Sequence, residues 1–271
     1  MNPVFEIIPK AIFFQQTDII CEISTDSFSY VFANDIDKKF HGLSVFYFND
    51  TEDISEQLKT IFHEQPLLNK NYKKVLISYA GKESSLLPEE LYKPGDEAVL
   101  LDILFGDLHQ TTVTTDHVAD KKIFNVYLIP SAIHKVIVDK FPAAVIRHHH
   151  SLLIRQGLPT GDLLKILFST NTFVASLVKA GELQIINTFP YKSGADVVYH
   201  LLNICKQFKM ENVPLQIGGM IEIDFDLHKE ICHYFKEINF DELPAGYEFT
   251  NALKELPPHH FSHLFSLASC V

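Results

Sequence analysis

A chain of 271 residues, 46% hydrophobic and 21% charged, holds enough apolar material for a sizeable core, which excludes a disulfide-stapled miniprotein, a fibre and a disordered tail. Lys and Arg number 23 against 34 Asp and Glu, a net charge of −11, and no run of Lys/Arg exceeds two residues. Such a surface repels phosphate backbones, so neither nucleic acid nor an anionic membrane is expected as a partner.

Residues 18–23, 28–33 and 43–48 are short β-branched or aromatic runs, separated by the turn compositions Ser24-Thr25-Asp26-Ser27 and Asp35-Ile36-Asp37-Lys38. They predict an antiparallel meander. Asp50-Thr51-Glu52-Asp53 then stands as an acidic cap before Ile54, Leu58, Ile61 and Phe62, which share one helical face, and residues 74–79 read as a buried strand. Residues 86–92 and 95–105 predict helical turns, 111–115 and 123–129 two strands, Pro130 a helix start, and 143–147 a further strand.

The same order then returns. Residues 165–168, 173–178 and 183–189 are strand-like, 194–208 carry Val197, Val198, Leu201, Leu202 and Cys205 at helical spacing, and 213–217 form a strand that ends in Gly218-Gly219. A β-β-β-α-β unit occurring twice points to internal duplication. The boundary falls at about residue 158, giving a first lobe over 1–158 with inserted elements near 86–129, and a second over 159–271. Gly157 to Gly161 is the candidate hinge.

Cys21, Cys205, Cys232 and Cys270 are far apart, with no CxxC spacing, and read as reduced core residues. The first residues show no basic region followed by an apolar run, and nowhere do about 18 apolar residues run together. No transmembrane segment and a cytoplasmic location are therefore expected.

Two histidine groups stand out. His148-His149-His150 supplies imidazoles but no converging acids, and is expected at a strand end on the surface or at a helix start. His259 and His263, four apart, lie opposite the apolar set Phe261, Leu264, Phe265 and Ala268, and lack the intervening glutamate of a metalloprotease motif, so a solvated polar face is expected. No metal is predicted. Asp224 and Asp226 read as cap and loop acids before a helix over 227–235. Nucleophile elbow, P-loop and dinucleotide fingerprints are absent.

The duplicated order resembles the α/β plan of the actin-like ATPase, or ribonuclease-H-like, fold: two lobes, each a mixed β-sheet flanked by helices. The block 123–130 with its helix and residues 143–146 resembles the actin-like proteins of type IV pilus assembly and type II secretion, as does the segment 165–219 with its Gly181-Glu182-Leu183 turn. The whole chain resembles an uncharacterised family, mainly from Bacteroidetes, catalogued as domain of unknown function 3822. The resemblance implies that a nucleotide would meet the two first-hairpin turns and the glycine pair: Ser24, Thr25 and Asp26, then Ser169, Thr170 and Asn171, then Gly218 and Gly219, around an interlobe cleft. Actin-like ATPases carry Asp-x-Gly at each hairpin, whereas this chain has Glu22-Ile23-Ser24-Thr25-Asp26, with a carboxylate and no glycine, and Leu167-Phe168-Ser169-Thr170-Asn171, with neither.

No cofactor is therefore expected. The leading reading is a non-catalytic pseudo-ATPase, a binding or scaffold protein with a protein partner the sequence does not name. The alternative is an enzyme or sensor that takes a nucleotide or another phosphorylated ligand in the cleft, closing about the hinge.

Overall fold

β-branched and aromatic runs pair into the main sheet of the first unit. The structure, a computed structural model, describes residues 1–9, 12–34, 36–106, 108–222 and 226–270. Contacts divide the chain into two units, Met1–Arg155 with Gly246–Leu253 and Leu267–Val271, and Gln156–Ala245 with Lys254–Ser266.

In the first unit the elements are β1 (Phe5–Ile7), β2 (Thr17–Ser24), β3 (Ser27–Asn34), β4 (Lys39–Tyr47), α1 (Ile54–Glu64), β5 (Lys74–Ala80), β6 (Ser84–Pro88), α2 (Glu97–Phe105), β7 (Thr111–Val118), β8 (Ile123–Pro130), α3 (Ser131–Lys140), β9 (Val145–His148) and α4 (His149–Arg155). The main sheet runs β1-β4-β3-β2-β5-β9. Its first four strands are antiparallel, while β5 pairs parallel with β2 and β9 parallel with β5, as α1 and α3 provide crossovers. Phe28, Tyr30, Phe32 and Phe46 from the meander pack with Leu58, Ile61 and Phe62 of α1 and with Ile133, Val136 and Ile137 of α3.

Asp53 caps α1 as expected: its carboxylate accepts from the backbone N–H of Ser55 at 2.8 Å and of Glu56 at 3.3 Å. Asp53→Ala should cost about 1 kcal/mol, read as a lowered urea midpoint; an unchanged midpoint would show the cap to be dispensable.

Residues 84–88 correct the sequence expectation. They form a strand instead of a helical turn, because Ser84 to Pro88 pair antiparallel with Tyr127 to Ile123 of β8. Strand order β6-β8-β7 makes a separate small sheet, on which Leu101 of α2 packs with Val126 and Leu128. Pro130, predicted at a helix start, ends β8 opposite Thr111 and leads directly into α3.

The second unit holds β10 (Leu163–Phe168), β11 (Thr172–Lys179), β12 (Glu182–Pro190), α5 (Gly194–Gln207), β13 (Leu215–Gly219), α6 (Asp226–Cys232) and β14 (Ile238–Phe240). Its sheet, β12-β11-β10-β13-β14, repeats the strand order β4-β3-β2-β5-β9, with three antiparallel strands and two parallel additions. Ser193 and Asp196 form a reciprocal capping box at the start of α5, whose Val197, Val198, Leu201 and Ile204 meet Ile166, Phe173, Leu215 and Ile217 of the sheet. The chain closes with β15 (Glu248–Phe249), parallel to β4 in the first unit, then α7 (Asn251–Lys254) and α8 (Pro258–Ser266). Asp224 lies outside the described residues; Asp226 opens α6.

Candidate functional site

A phosphate cradle is made of backbone N–H groups that nothing else has claimed. In the first hairpin they are claimed by the turn itself. The Ser24 hydroxyl accepts from the N–H of Asp26 at 3.2 Å and of Ser27 at 2.9 Å, and donates to the Asp26 carboxylate. Asp26 is buried and its carbonyl accepts from Phe48 N–H at 2.8 Å, which leaves Thr25 as the exposed tip. Serine in a turn bonds its own backbone, and here that bonding occupies the donors a phosphate would need.

The second hairpin is tied differently. Ser169 N–H donates to Thr172 carbonyl at 2.8 Å, Tyr191 N–H to Asn171 carbonyl at 3.0 Å, and the Tyr191 hydroxyl to Ser169 carbonyl at 2.9 Å. Thr170 and Asn171 are exposed at its tip.

Gly218 and Gly219 end β13 and are buried. A Cβ on Gly219 would lie 2.1 Å from the Phe168 carbonyl oxygen, and its φ of +84° is one that side chains avoid. On Gly218 it would lie 2.6 Å from Asp241 Oδ2. That carboxylate is itself buried, held by Lys165 Nζ at 2.9 Å and the Ser262 hydroxyl at 3.1 Å. Packing within the second unit is thus enough to require both glycines.

Histidines 148–150 overturn their expectation. They do form a strand end and a helix start, but all three are buried, because β9 is flanked by β5 and α4 packs against β5 and β7. His148 Nε2 sits 3.0 Å from Gly81 carbonyl while its Nδ1 accepts from His150 N–H at 3.1 Å, which fixes a neutral ring with the proton on Nε2. Its own N–H donates to Asp116 Oδ2 at 2.7 Å. Asp116 also accepts from the Tyr127 hydroxyl at 3.3 Å and lies 3.6 Å from Arg147 Nη1. Burial pushes the His148 imidazole down to about 3, holds His150 well below its ordinary value, and raises the Asp116 carboxyl.

One step away, Glu22 Oε2 meets His149 Nδ1 at 2.6 Å and accepts from the Ser78 hydroxyl at 3.1 Å. Serine, histidine and glutamate together suggest a nucleophilic triad, yet Ser78 and Glu22 both approach the same ring nitrogen, and Ser78 is fully buried. A triad needs its base to use one nitrogen on the serine and the other on the acid. The cluster is a structural polar core. In the sequence Glu22 stands out only as part of the first hairpin, and Ser78 and Asp116 do not stand out; for Glu22 the signal was a carboxylate interrupting an apolar strand, Ile20-Cys21-Glu22-Ile23.

Of the two histidines expected on a solvated face, His259 is buried, its Nε2 2.9 Å from Ile221 carbonyl because α8 lies against β13, while His263 is half-buried; His260 between them is buried as well. Cys21 and Cys205 are core thiols as read, whereas Cys232 is exposed and Cys270 half-buried; all four are free. Among the described residues no group of three or more His, Cys, Asp or Glu is placed to hold a metal ion, and no helix is long and apolar enough to cross a membrane.

The strand order repeated in both units is shared by solved structures. A Bacteroides thetaiotaomicron VPI-5482 protein with an actin-like ATPase fold and unknown function superposes with a TM-score of 0.81 at 19% identity, covering 95% of this chain and 97% of its own. The PilM-PilN type IV pilus biogenesis complex contains a chain matching at a TM-score of 0.60 and 9% identity, over 93% and 98%. The ethanolamine utilization protein EutJ from Carboxydothermus hydrogenoformans follows at 0.50 and 11%, over 93% and 89%. No curated protein matches in sequence. These likenesses give the chain an actin-like ATPase fold. A family profile, described as "Protein of unknown function (DUF3822)", matches residues 11–238, most of the length, and the chain therefore belongs to the DUF3822 family.

Proposed function

We propose that this protein is a non-catalytic binding or scaffold protein built on the actin-like fold. The observation that carries the reading is the first hairpin, where Ser24 takes the N–H groups of Asp26 and Ser27 and the Asp26 carboxylate turns back onto Ser24. A nucleotide there would have to displace those bonds before gaining its own, and no glycine lets the turn open toward phosphate. The neighbour named for the PilM-PilN complex is a protein of this fold in an assembly, which agrees with a binding role.

The test is a thermal titration with Mg–ATP, Mg–GTP and ADP. A ligand at 100 times its Kd adds about 2.7 kcal/mol, enough for a shift of about 5 °C or more in a chain of this size. No shift is expected. A saturating shift with phosphate release would overturn the reading in favour of a nucleotide enzyme or sensor.

A further inference from the structure

Helix α2 is an apolar helix on the surface of the first unit, and little of it is covered. Of its nine residues, Glu-Ala-Val-Leu-Leu-Asp-Ile-Leu-Phe, only Leu101 is buried. Ile103 is 76% exposed, Val99 60%, Leu104 50% and Phe105 40%, and Leu91 just before the helix is 67% exposed. Scattered apolar residues are ordinary on a surface; a contiguous set on one short helix marks a binding face. A groove of about 370 Å3 runs beside it, lined by Leu91, Val99 and Ile103 together with Lys93, Asp96 and Glu97.

The rim is acidic. Between Pro88 and Gly106 stand Glu89, Glu90, Asp96, Glu97 and Asp102 against one cation, Lys93. Glu89, Glu90, Asp96 and Asp102 are exposed. Three occupants could cover an apolar face, and this charge selects among them. A second copy docked by two-fold symmetry would set these carboxylates against their own counterparts. An anionic membrane would be repelled for the same reason. An apolar segment flanked by Lys or Arg would satisfy both the groove and the rim.

We propose that the α2 groove docks an amphipathic segment of a partner protein, with apolar anchors in the groove and basic residues on the acidic rim. The inference deepens the binding-protein reading and rests on it. Apolar burial holds the segment, and the acidic rim steers it in and selects against acidic competitors.

The experiment uses the full chain and a fluorescein-labelled peptide of about 18 residues, five turns of helix, with a leucine face and lysine flanks, beside a twin with glutamate in place of lysine. The lysine peptide should bind and weaken as salt rises. Ile103→Asp, at a position too exposed to unfold the helix, should weaken it about tenfold even though it adds negative charge, and Tyr199→Asp, on the second unit, should leave it unchanged. Equal binding to the Ile103→Asp protein, equal binding of the glutamate twin, or no binding of the lysine peptide would overturn the proposal. So would sedimentation as a dimer that Ile103→Asp converts to a monomer, since a second copy would then cover the face. The nucleotide titration on the same samples separates the two conclusions. A saturating nucleotide shift with phosphate release and peptide binding intact sinks the non-catalytic reading alone, and failure of the peptide arm without a shift sinks the groove alone.

Discussion

Gly219→Ala should lower the stability of the second unit by roughly 2–5 kcal/mol, a large share of the 5–15 kcal/mol that a domain typically has. Two costs add. A φ of +84° charges an alanine about 1–2 kcal/mol for its Cβ, and the new carbon would stand 2.1 Å from the Phe168 carbonyl oxygen and 2.7 Å from its nitrogen. Those are backbone atoms of the β10–β13 pair, where Phe168 sits opposite Gly219, so relief requires the ladder to part, at a cost of about 1–3 kcal/mol. Gly218→Ala should cost less, since its obstacle is the Asp241 side chain. Gly161→Ala, with open space around it and no positive φ, should stay within about 1 kcal/mol of the parent. Urea midpoints of the three variants decide it: if Gly219→Ala unfolds with the parent, the tight turn is not a constraint. The result also governs how ligand tests are read. Loss of any ligand in a Gly219 variant would report a damaged strand pair, not a lost ligand contact.

The strand and helix order was legible because its signals are local. β-branched and apolar runs such as Asp18 to Ile23 and the 3.6-residue spacing of Leu58, Ile61 and Phe62 sit in single windows of sequence. What escaped was decided by partners distant in sequence. Residues 86–88 carry no alternation of their own and become a strand because β8, about 40 residues later, pairs with them. The fate of His148 to His150 depends on β5, β7 and α4 closing over them, which no property of three consecutive histidines announces. The same limit applies to the hairpin. Ser24-Thr25-Asp26-Ser27 reads as a turn in any context, but that its hydroxyl consumes its own N–H groups is a matter of rotamer and register. Helix α2 was predicted as helical; that only Leu101 of it finds a core was not, since exposure is set by what the rest of the chain fails to cover.

Acidification should destabilise the first unit from about pH 6.5 downward. In the unfolded chain His148 takes up a proton near its ordinary 6.5; in the folded chain burial holds that event off until about 3. Both ring nitrogens are committed, one proton going to the Gly81 carbonyl and the Nδ1 lone pair accepting from His150 N–H. A second proton would therefore set donor against donor at a fully buried ring. Above pH 6.5 neither state binds the proton and the full stability is present. Between 6.5 and 3 only the unfolded state binds it, so stability falls by up to about 1.4 kcal/mol per pH unit for each such histidine. His150, shifted the same way, adds to the slope, whereas Asp116, whose carboxyl is raised by burial, holds its proton more readily when folded and opposes it at the acid end. His148→Gln can keep an acceptor for His150 N–H and a donor for Gly81 carbonyl while removing the titration. It should be less stable than the parent at pH 8 for its poorer fit, yet lose stability less steeply between pH 6.5 and 4. Parallel urea midpoints for the two proteins across that range would mean that His148 is protonated when folded and that the buried neutral ring is the wrong description of this core.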